Sequence, residues 1–427
     1  MNMKGISEQD VSFEDKFGNK GAKILKPTTE AEISEIISEA DEENINVTIE
    51  SGGTKRGYGG VKTAYDWTLS LSDYKGVVEH NVGDMTVTVR AGTTIADLQD
   101  FLRQHNQMVS IDPDWPDQAT IGGVISSNES GCKRLKYGSA RDLVIGLRVV
   151  YPNGEIIRTG AKVVKNVAGY DMNKLFIGAM GTLGVITEIT MKLRPIPKYE
   201  SLVQVSVPKE KSDELKTLAV SIQDSVIEPV SLELVNPSLS KKLMGREEYM
   251  LLIAFEDVEK SVHFQEEWME NHRPQGSFIE VIRQDKAREF WRTFSALAPN
   301  SLQDEQSAST QVILKIGSKN MDVFKIMKDS ESISSSVSIE AHGGMGHGIS
   351  QYTLTGEEAE VLKAIRELRN VAESKKGYAI GKHLPYKLRK EVGAWGEKTP
   401  SFFLFQGIKQ KVDPRNTLNH QRFIGGI

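Results

Sequence analysis

Between Thr28 and Asn44 the apolar residues Ile33, Ile36, Ile37 and Ala40 recur at helical spacing, and Thr29 with Glu32 has the arrangement of a capping box. An amphipathic helix is predicted there. The segment Asn46-Val-Thr-Ile-Glu50 reads as a short strand running directly into Ser51-Gly-Gly-Thr-Lys-Arg-Gly-Tyr-Gly-Gly60, and strand pattern resumes around Trp67 to Leu71. Met85 to Arg90 alternates strictly, while Thr94 to His105 puts Ile95, Leu98, Phe101 and Leu102 on one helical face. Leu143 to Val150 and Glu155 to Thr159 flank a Pro-Asn-Gly turn and predict a hairpin. Val185 to Leu193 alternates again until Pro195-Ile-Pro197 breaks the pattern, so an α+β domain is expected to close there.

From about Lys198 to Gly381 glycine thins out and helices interleave with short strands, for example the strand Leu251 to Phe255 and the helix Glu357 to Glu373. This predicts a second α+β domain. Two polar stretches, Asn300 to Thr310 and Asp329 to Ser338, lack apolar periodicity and read as surface loops. Length agrees with two domains, because 427 residues exceed the roughly 250 to 300 at which single cores stop growing.

An apolar share of 39% against 26% charged residues belongs to a globular chain. The net charge of -5, with no long basic run, argues against a nucleic-acid partner. Cys132 is the only cysteine, so the chain forms no internal disulfide and builds no iron–sulfur cluster by itself. The first 20 residues lack a signal-peptide core, and no apolar run reaches the roughly 18 residues needed to span a bilayer. A cytoplasmic protein without a transmembrane segment is expected, meeting a membrane only through partners.

The loop Ser51 to Gly60 exposes backbone N–H groups without side-chain obstruction, as a diphosphate site requires, and Lys55 and Arg56 add positive charge. A Walker A loop or a Rossmann fingerprint would lead into a helix, whereas a strand follows here. Between Gly122 and Gly184 there are 11 glycines in 63 residues, against 37 in all 427, about twice the average density. Turns account for only some of them, and close backbone approach to a large planar cofactor accounts for the rest.

These motifs carry a resemblance. Gly52-Gly-Thr-Lys55, Ile121-Gly-Gly-Val124, Asn128-Glu-Ser-Gly131, Arg134-Leu-Lys-Tyr-Gly138, Ala140-Arg-Asp-Leu143, Val163 to Asp171 and Gly181 to Glu188 occur in the order found in vanillyl-alcohol oxidase (p-cresol methylhydroxylase, PCMH, type) flavoproteins. Within that family the chain resembles the FAD-binding E subunits of bacterial glycolate oxidases. The resemblance is strong over about Ile24 to Pro197, weak beyond it, and returns near Val412 to Asn419. It implies an α+β fold with a two-part PCMH-type FAD-binding domain at 22–197 after an N-terminal extension at 1–21. A smaller α+β, ferredoxin-like cap or substrate domain would follow at 198–399, and a C-terminal segment at 400–427 would return to the FAD domain.

The cofactor implied is FAD, bound non-covalently because Ser51 to Gly60 holds neither the His nor the Cys that tethers flavin in some relatives. The resemblance assigns FAD contacts to Gly52, Gly53, Thr54, Lys55, Arg56 and Gly57 in the first loop. In the second segment it assigns them to Pro113, Thr120, Ile121, Gly122, Gly123, Ser127, Asn128, Gly138, Arg141, Val185 and Ile186. Lys165, Asn166 and Asp171 read as loop braces, and Arg141 with Asp142 as a structural ion pair.

Oxidising a 2-hydroxy acid needs a base for the hydroxyl proton and a cation for the carboxylate. His342-Gly-Gly-Met-Gly-His347 supplies the catalytic candidates His342 and His347 in what reads as a flexible glycine-rich loop. It matches the metal-binding His-x-Gly-x-Gly-x-x-His of catalytic relatives only in part, with Ile349 where the second histidine belongs, so no metal ligand is assigned. His383 and Arg422 are further options. The function implied is an FAD-linked oxidoreductase subunit acting on a small 2-hydroxy acid, with flavoprotein and iron–sulfur partner subunits. The alternative is a non-catalytic FAD-binding or scaffolding subunit beside a paralogous catalytic partner.

Overall fold

The computed structural model describes residues 16–160, 170–302, 309–333 and 335–427, with the backbone of Ile6–Glu8. The motif residues 163–169, including Lys165 and Asn166, lie outside the described residues, as does most of 1–15.

The first sheet contains β1 (Ile6–Glu8), β2 (Gly21–Leu25), β3 (Val47–Glu50) and β4 (Tyr65–Ser70) in the order β1-β2-β4-β3, with β2 and β3 parallel to β4. Between β2 and β3 runs α1 (Glu30–Glu42), whose Thr29 and Glu32 form the predicted capping box. The sequence pattern began at this helix, but β2 precedes it. The second sheet is antiparallel in the order β5 (Val77–Asn81), β6 (Thr86–Arg90), β10 (Val185–Lys192), β8 (Val144–Val150), β9 (Ile156–Gly160). Ile33 and Ile37 of α1, Leu69 of β4, Val89, Val149 and Ile189, together with Leu98 of α2 (Ile95–Arg103), belong to one buried cluster. The two sheets therefore share a core. A two-stranded ribbon of β7 (Gln107–Met108) and β11 (Arg194–Pro195) ends this half.

The larger sheet has eight strands: β12 (Tyr199–Val207), β13 (Ser231–Val235), β14 (Tyr249–Asp257), β15 (Phe278–Arg283), β16 (Thr310–Gly317), β17 (Ser338–Gly344), β18 (Ile349–Gly356) and β19 (Tyr378–His383). Their order is β15-β12-β14-β13-β17-β18-β16-β19, all neighbours antiparallel. Because side chains alternate across a sheet, each strand divides its residues between two faces. Leu232 and Leu234, Ala341, Tyr352 and Leu354, and Val312, Leu314 and Ile316 pack under the helices Ser212–Gln223, Asp322–Ser330 and Glu358–Ser374. The same alternation sends Glu233, His342, Gln351 and Lys315 to the opposite face.

That opposite face meets the amino-terminal half. Cys132 packs with Leu202, Val235, Met250 and Leu252, and Tyr137 with Val230 and Ala254. The chain end returns across the first sheet: Leu418 bridges Val47 in parallel, and the Asn419 carboxamide accepts from Ile49 N at 2.9 Å and donates to Met180 O at 2.7 Å.

Three sequence expectations change here. His342 sits on β17 and His347 in the tight turn before β18, not in a flexible loop, since the hairpin register fixes both. Arg141 and Asp142 do not pair. Arg141 Nη1 donates to Lys174 O (3.0 Å) and Ile177 O (3.3 Å), while Asp142 accepts from Ser139 N at 2.7 Å and Oγ at 2.9 Å. Asp329 and Ser330 end a helix and Ser338 opens β17, so only the residues between them connect elements.

Candidate functional site

The loop after β3 and the short helix α3 (Ile121–Ser127), capped by Thr120, face each other across a cleft closed at one side by Met180 to Ile186. The N–H groups of Gly52, Gly53, Thr54 and Lys55 have no acceptor among the described residues. Further along the loop, arginines take the carbonyls. Arg389, 2% exposed on the helix Tyr386–Val392, donates to the carbonyls of Arg56 (3.1 Å), Gly60 (3.3 Å), Gly59 (3.4 Å) and Phe17. Arg422 donates to Tyr58 O at 3.0 Å and Lys55 O at 3.4 Å, and lines the cleft itself.

A Cβ at Gly52 would stand 2.1 Å from Gln118 O, so only bare backbone fits there. Gly181 has φ +70°, and its Cβ would meet Asn419 Nδ2 at 2.7 Å. Lys55, Arg56 and Arg422 face the cleft against the single carboxylate of Glu50. Ser51 Oγ is buried there without a partner. Free amides, excess positive charge and an orphaned hydroxyl fit a long ligand with a diphosphate.

Ser127 lines this cleft and also a second cavity of about 330 Å³, which opens between the segment Ile111 to Arg134 and the polar face of the eight-stranded sheet. Here the two candidate histidines come together on one acid. Glu233, 1% exposed, accepts from His342 Nδ1 at 3.0 Å and lies 3.3 Å from His347 Nε2. His347 Nδ1 accepts from Ile349 N at 3.2 Å, whereas its buried Nε2 approaches Glu233 without forming a hydrogen bond; His342 is held through Nδ1. Burial works against the charge on Glu233, but the two imidazoles outweigh it and hold its carboxyl below the usual range.

Cys132 Sγ, a Glu233 oxygen and a His342 nitrogen lie within 4.8 Å of one another, a donor set that could hold a metal ion and that the sequence reading did not foresee. Burial, with Glu233, Asp112 and Asp114 nearby, pushes the Cys132 thiol well up, so it is a poor nucleophile. Asp112 accepts from Gly131 N (3.0 Å) and Lys133 N (2.8 Å), and burial pushes it up to about 6.

An ion network ties the halves together. Lys382 Nζ reaches Asp114 at 2.5 Å, Gln351 at 2.7 Å and Glu129 at 2.9 Å, and Glu129 also pairs with Lys55 at 2.6 Å. Burial opposes the Glu129 charge, yet Lys382 and Lys55 bring its pKa to about 2.

The assigned cofactor residues distribute unevenly. Gly52, Gly53, Thr54, Lys55, Arg56, Thr120, Gly122, Gly123, Ser127, Val185 and Ile186 line the first cleft. Pro113 lines the second cavity; Asn128 and Arg141 line a third of about 350 Å³ that shares Tyr58, Ser127 and Lys315 with it. Three lie off all of these. Gly57 is bonded behind the loop to Ser301 Oγ and Leu384 N, Ile121 is 1% exposed in the core, and Gly138 turns with φ +78° beside Asp142. His383 is buried behind the loop against Phe17, and burial with the Arg389 charge lowers its pKa to about 3. Sequence reasoning missed Glu233, Arg389, Lys382 and Lys315. For Glu233, Lys315 and Lys382 the one signal was a charge inside an otherwise apolar strand; Arg389, on a helix, carried none.

Residues 22–160 match the family model for an FAD binding domain. The fold superposes on p-cresol methylhydroxylase with a TM-score of 0.69 at 15% identity, over 94% of this chain and 88% of that one. Residues 22–160 are thus an FAD binding domain, and the chain has the fold of the PCMH type. The fold is equally similar to alkyldihydroxyacetonephosphate synthase, with a TM-score of 0.72 at 15% identity over 98% of this chain and 83% of that one. By sequence the flavoprotein is 28% identical to a mitochondrial D-lactate dehydrogenase [cytochrome] of Arabidopsis thaliana, over 94% of this chain and 73% of the relative. It is 34% identical to glycolate oxidase subunit GlcD of Bacillus subtilis over 50% of this chain and 45% of the subunit. It is 37% identical to subunit GlcE of Escherichia coli over 31% and 38%. The matches thus span less than half the length of either glycolate oxidase subunit. Among the described residues no helix is long and apolar enough to cross a membrane.

Proposed function

We propose that this flavoprotein oxidises a small 2-hydroxy acid of the glycolate or D-lactate class in the cavity between its FAD cleft and its eight-stranded sheet. The observation that carries this reading is the His342–Glu233 pair. A buried carboxylate at 3.0 Å fixes the Nδ1–H tautomer of His342 and leaves Nε2 as the basic nitrogen.

Gly52 to Lys55, with Arg56 and Arg422, would hold the FAD diphosphate, and Ser127 stands where the cleft opens into the reaction cavity. FAD supplies the two-electron acceptor for the substrate's Cα hydrogen, leaving a 2-oxo acid. His342 Nε2 takes the hydroxyl proton. Glu233 stabilises the imidazolium that forms, and His347 keeps Glu233 in place. The cations around the cavity favour an anionic substrate over a neutral alcohol.

Electrons leave to a partner, because one cysteine cannot hold an iron–sulfur relay. Flavoprotein and iron–sulfur subunits are the partners proposed, in the cytoplasm, with any membrane contact made through them. A second reading, an FAD-binding subunit supporting a paralogous catalytic one, is favoured by Ile349 standing at the second histidine position of the metal motif. Anaerobic addition of glycolate or D-lactate to the purified yellow protein separates the two. Bleaching of the flavin band by this chain alone, lost in Glu233→Gln with FAD content retained, supports catalysis here. Bleaching only after the partner is added supports the scaffold.

A further inference from the structure

Across the polar face of the large sheet, His342 on β17 is the register partner of Gln351 on β18, which is in turn the partner of Lys315 on β16. Most charged groups around this cavity already have a counter-charge. Lys382 is paired with Asp114 and Glu129, Lys133 with Glu256, Arg288 with Glu200, and the two histidines share Glu233. Lys315 has neither an ion pair nor a hydrogen bond among the described residues. It nonetheless lines both the reaction cavity and the third cavity that adjoins it at Tyr58 and Ser127. An ammonium removed from bulk water without a partner is a costly arrangement that an incoming anion relieves.

We propose that Lys315 anchors the carboxylate of the substrate, an inference that rests on the function proposed above. His342 and Lys315 stand on strands separated by β18 alone, about 10 Å apart at the backbone. Both side chains rise from the same face of the sheet into the cavity they line with Gln351, so a small molecule there can turn its hydroxyl toward one and its carboxylate toward the other.

Burial disfavours the charge on Lys315, and Lys382 on β19 and Arg134 repel it. Glu129, after α3, opposes them, and the balance lowers the lysine to about 8. A bound carboxylate favours the charged form, so above that pH binding requires the uptake of one proton. Asp112, pushed up to about 6, titrates below this window, and burial lifts Tyr58 and Cys132 above it. Lys382 is held charged by Asp114 and Glu129 despite its burial, and Glu129 by its two lysines. Asp114, Arg288 and Arg292 in the same cavity and Arg141 and Lys174 in the adjoining one complete the charged lining, with His342, His347 and Glu233 as described.

The test is equilibrium binding of oxalate, a non-oxidisable carboxylate, to the FAD-loaded protein between pH 6 and 10, followed by perturbation of the flavin absorption band. The Kd is expected to be level below about pH 8 and to rise tenfold per pH unit above it. Lys315→Met should weaken binding at least tenfold at pH 7 and flatten the profile. Lys315→Arg should keep the affinity and carry it to pH 10, and the absorbance of each variant reports that FAD is still held. A level profile in the parent from pH 7 to 10, or a Lys315→Met variant that binds as tightly as the parent, overturns the proposal. If glycolate or D-lactate still bleaches the parent, only the role of Lys315 has failed. If neither substrate bleaches the flavin with or without a partner and oxalate leaves the band unmoved, the functional reading has failed with it.

Discussion

Arg389→Met should release the phosphate loop from the neighbouring helix. The guanidinium is 2% exposed and donates to four carbonyls, three of them at 3.1 to 3.4 Å in the loop proposed to present its N–H groups to FAD. A hydrogen bond from a charged donor contributes roughly 1.5 to 3 kcal/mol, so loss of the two best contacts, to Phe17 and Arg56, removes about 3 to 6 kcal/mol of local order. Methionine fills the space of the stem and leaves those carbonyls short of a donor. If about 1 to 2 kcal/mol of this appears as cofactor affinity, the Kd for FAD rises roughly 5- to 30-fold. The remainder appears as a lower Tm in the apoprotein. Titration of apoprotein with FAD by fluorescence quenching measures the first, and thermal melts with and without FAD measure the second. Arg389→Lys, which keeps the charge but offers one point of donation, should fall between parent and Met. An Arg389→Met protein that binds FAD within twofold of the parent, with the same FAD-induced rise in Tm, would refute the idea that this helix orders the loop.

Gly52→Ala should lower FAD loading at least tenfold, because the new Cβ stands 2.1 Å from the Gln118 carbonyl, and the flavin-to-protein absorbance ratio reads this out. Acid precipitation of the parent should release all of its flavin, and Cys132→Ser should hold as much FAD as the parent; flavin left in the pellet would show a covalent link. His383 stays neutral when folded, with its pKa lowered to about 3 from an unfolded value near 6.5. Unfolding therefore takes up a proton below pH 6.5, and stability falls as pH drops toward 3, by about 2 kcal/mol at pH 5. Denaturant melts of His383→Gln should show a flatter profile between pH 5 and 7 than the parent.

The sequence alone determined the cofactor half of this protein. Local signals suffice there, because a capping box, a strand running into bare glycines and a second strand are set by neighbouring residues. The free N–H groups of Gly52 to Lys55 follow from that run. Periodicity likewise placed α1, β6, α2 and the β8–β9 hairpin within a residue or two. Only the tertiary structure decided which side chains share the cavity beside the FAD cleft. Glu233 lies 109 residues before His342, and Arg389 lies 333 after Arg56, separations at which no local pattern reports contact. The sheet register set the outcome, turning Glu233, His342, Gln351 and Lys315 to the face opposite the helices and making a glycine-rich stretch a fixed hairpin. Charges inside apolar strands were visible from the start. What each one faces depended on a strand order, β13-β17-β18-β16, that departs from the order of the chain.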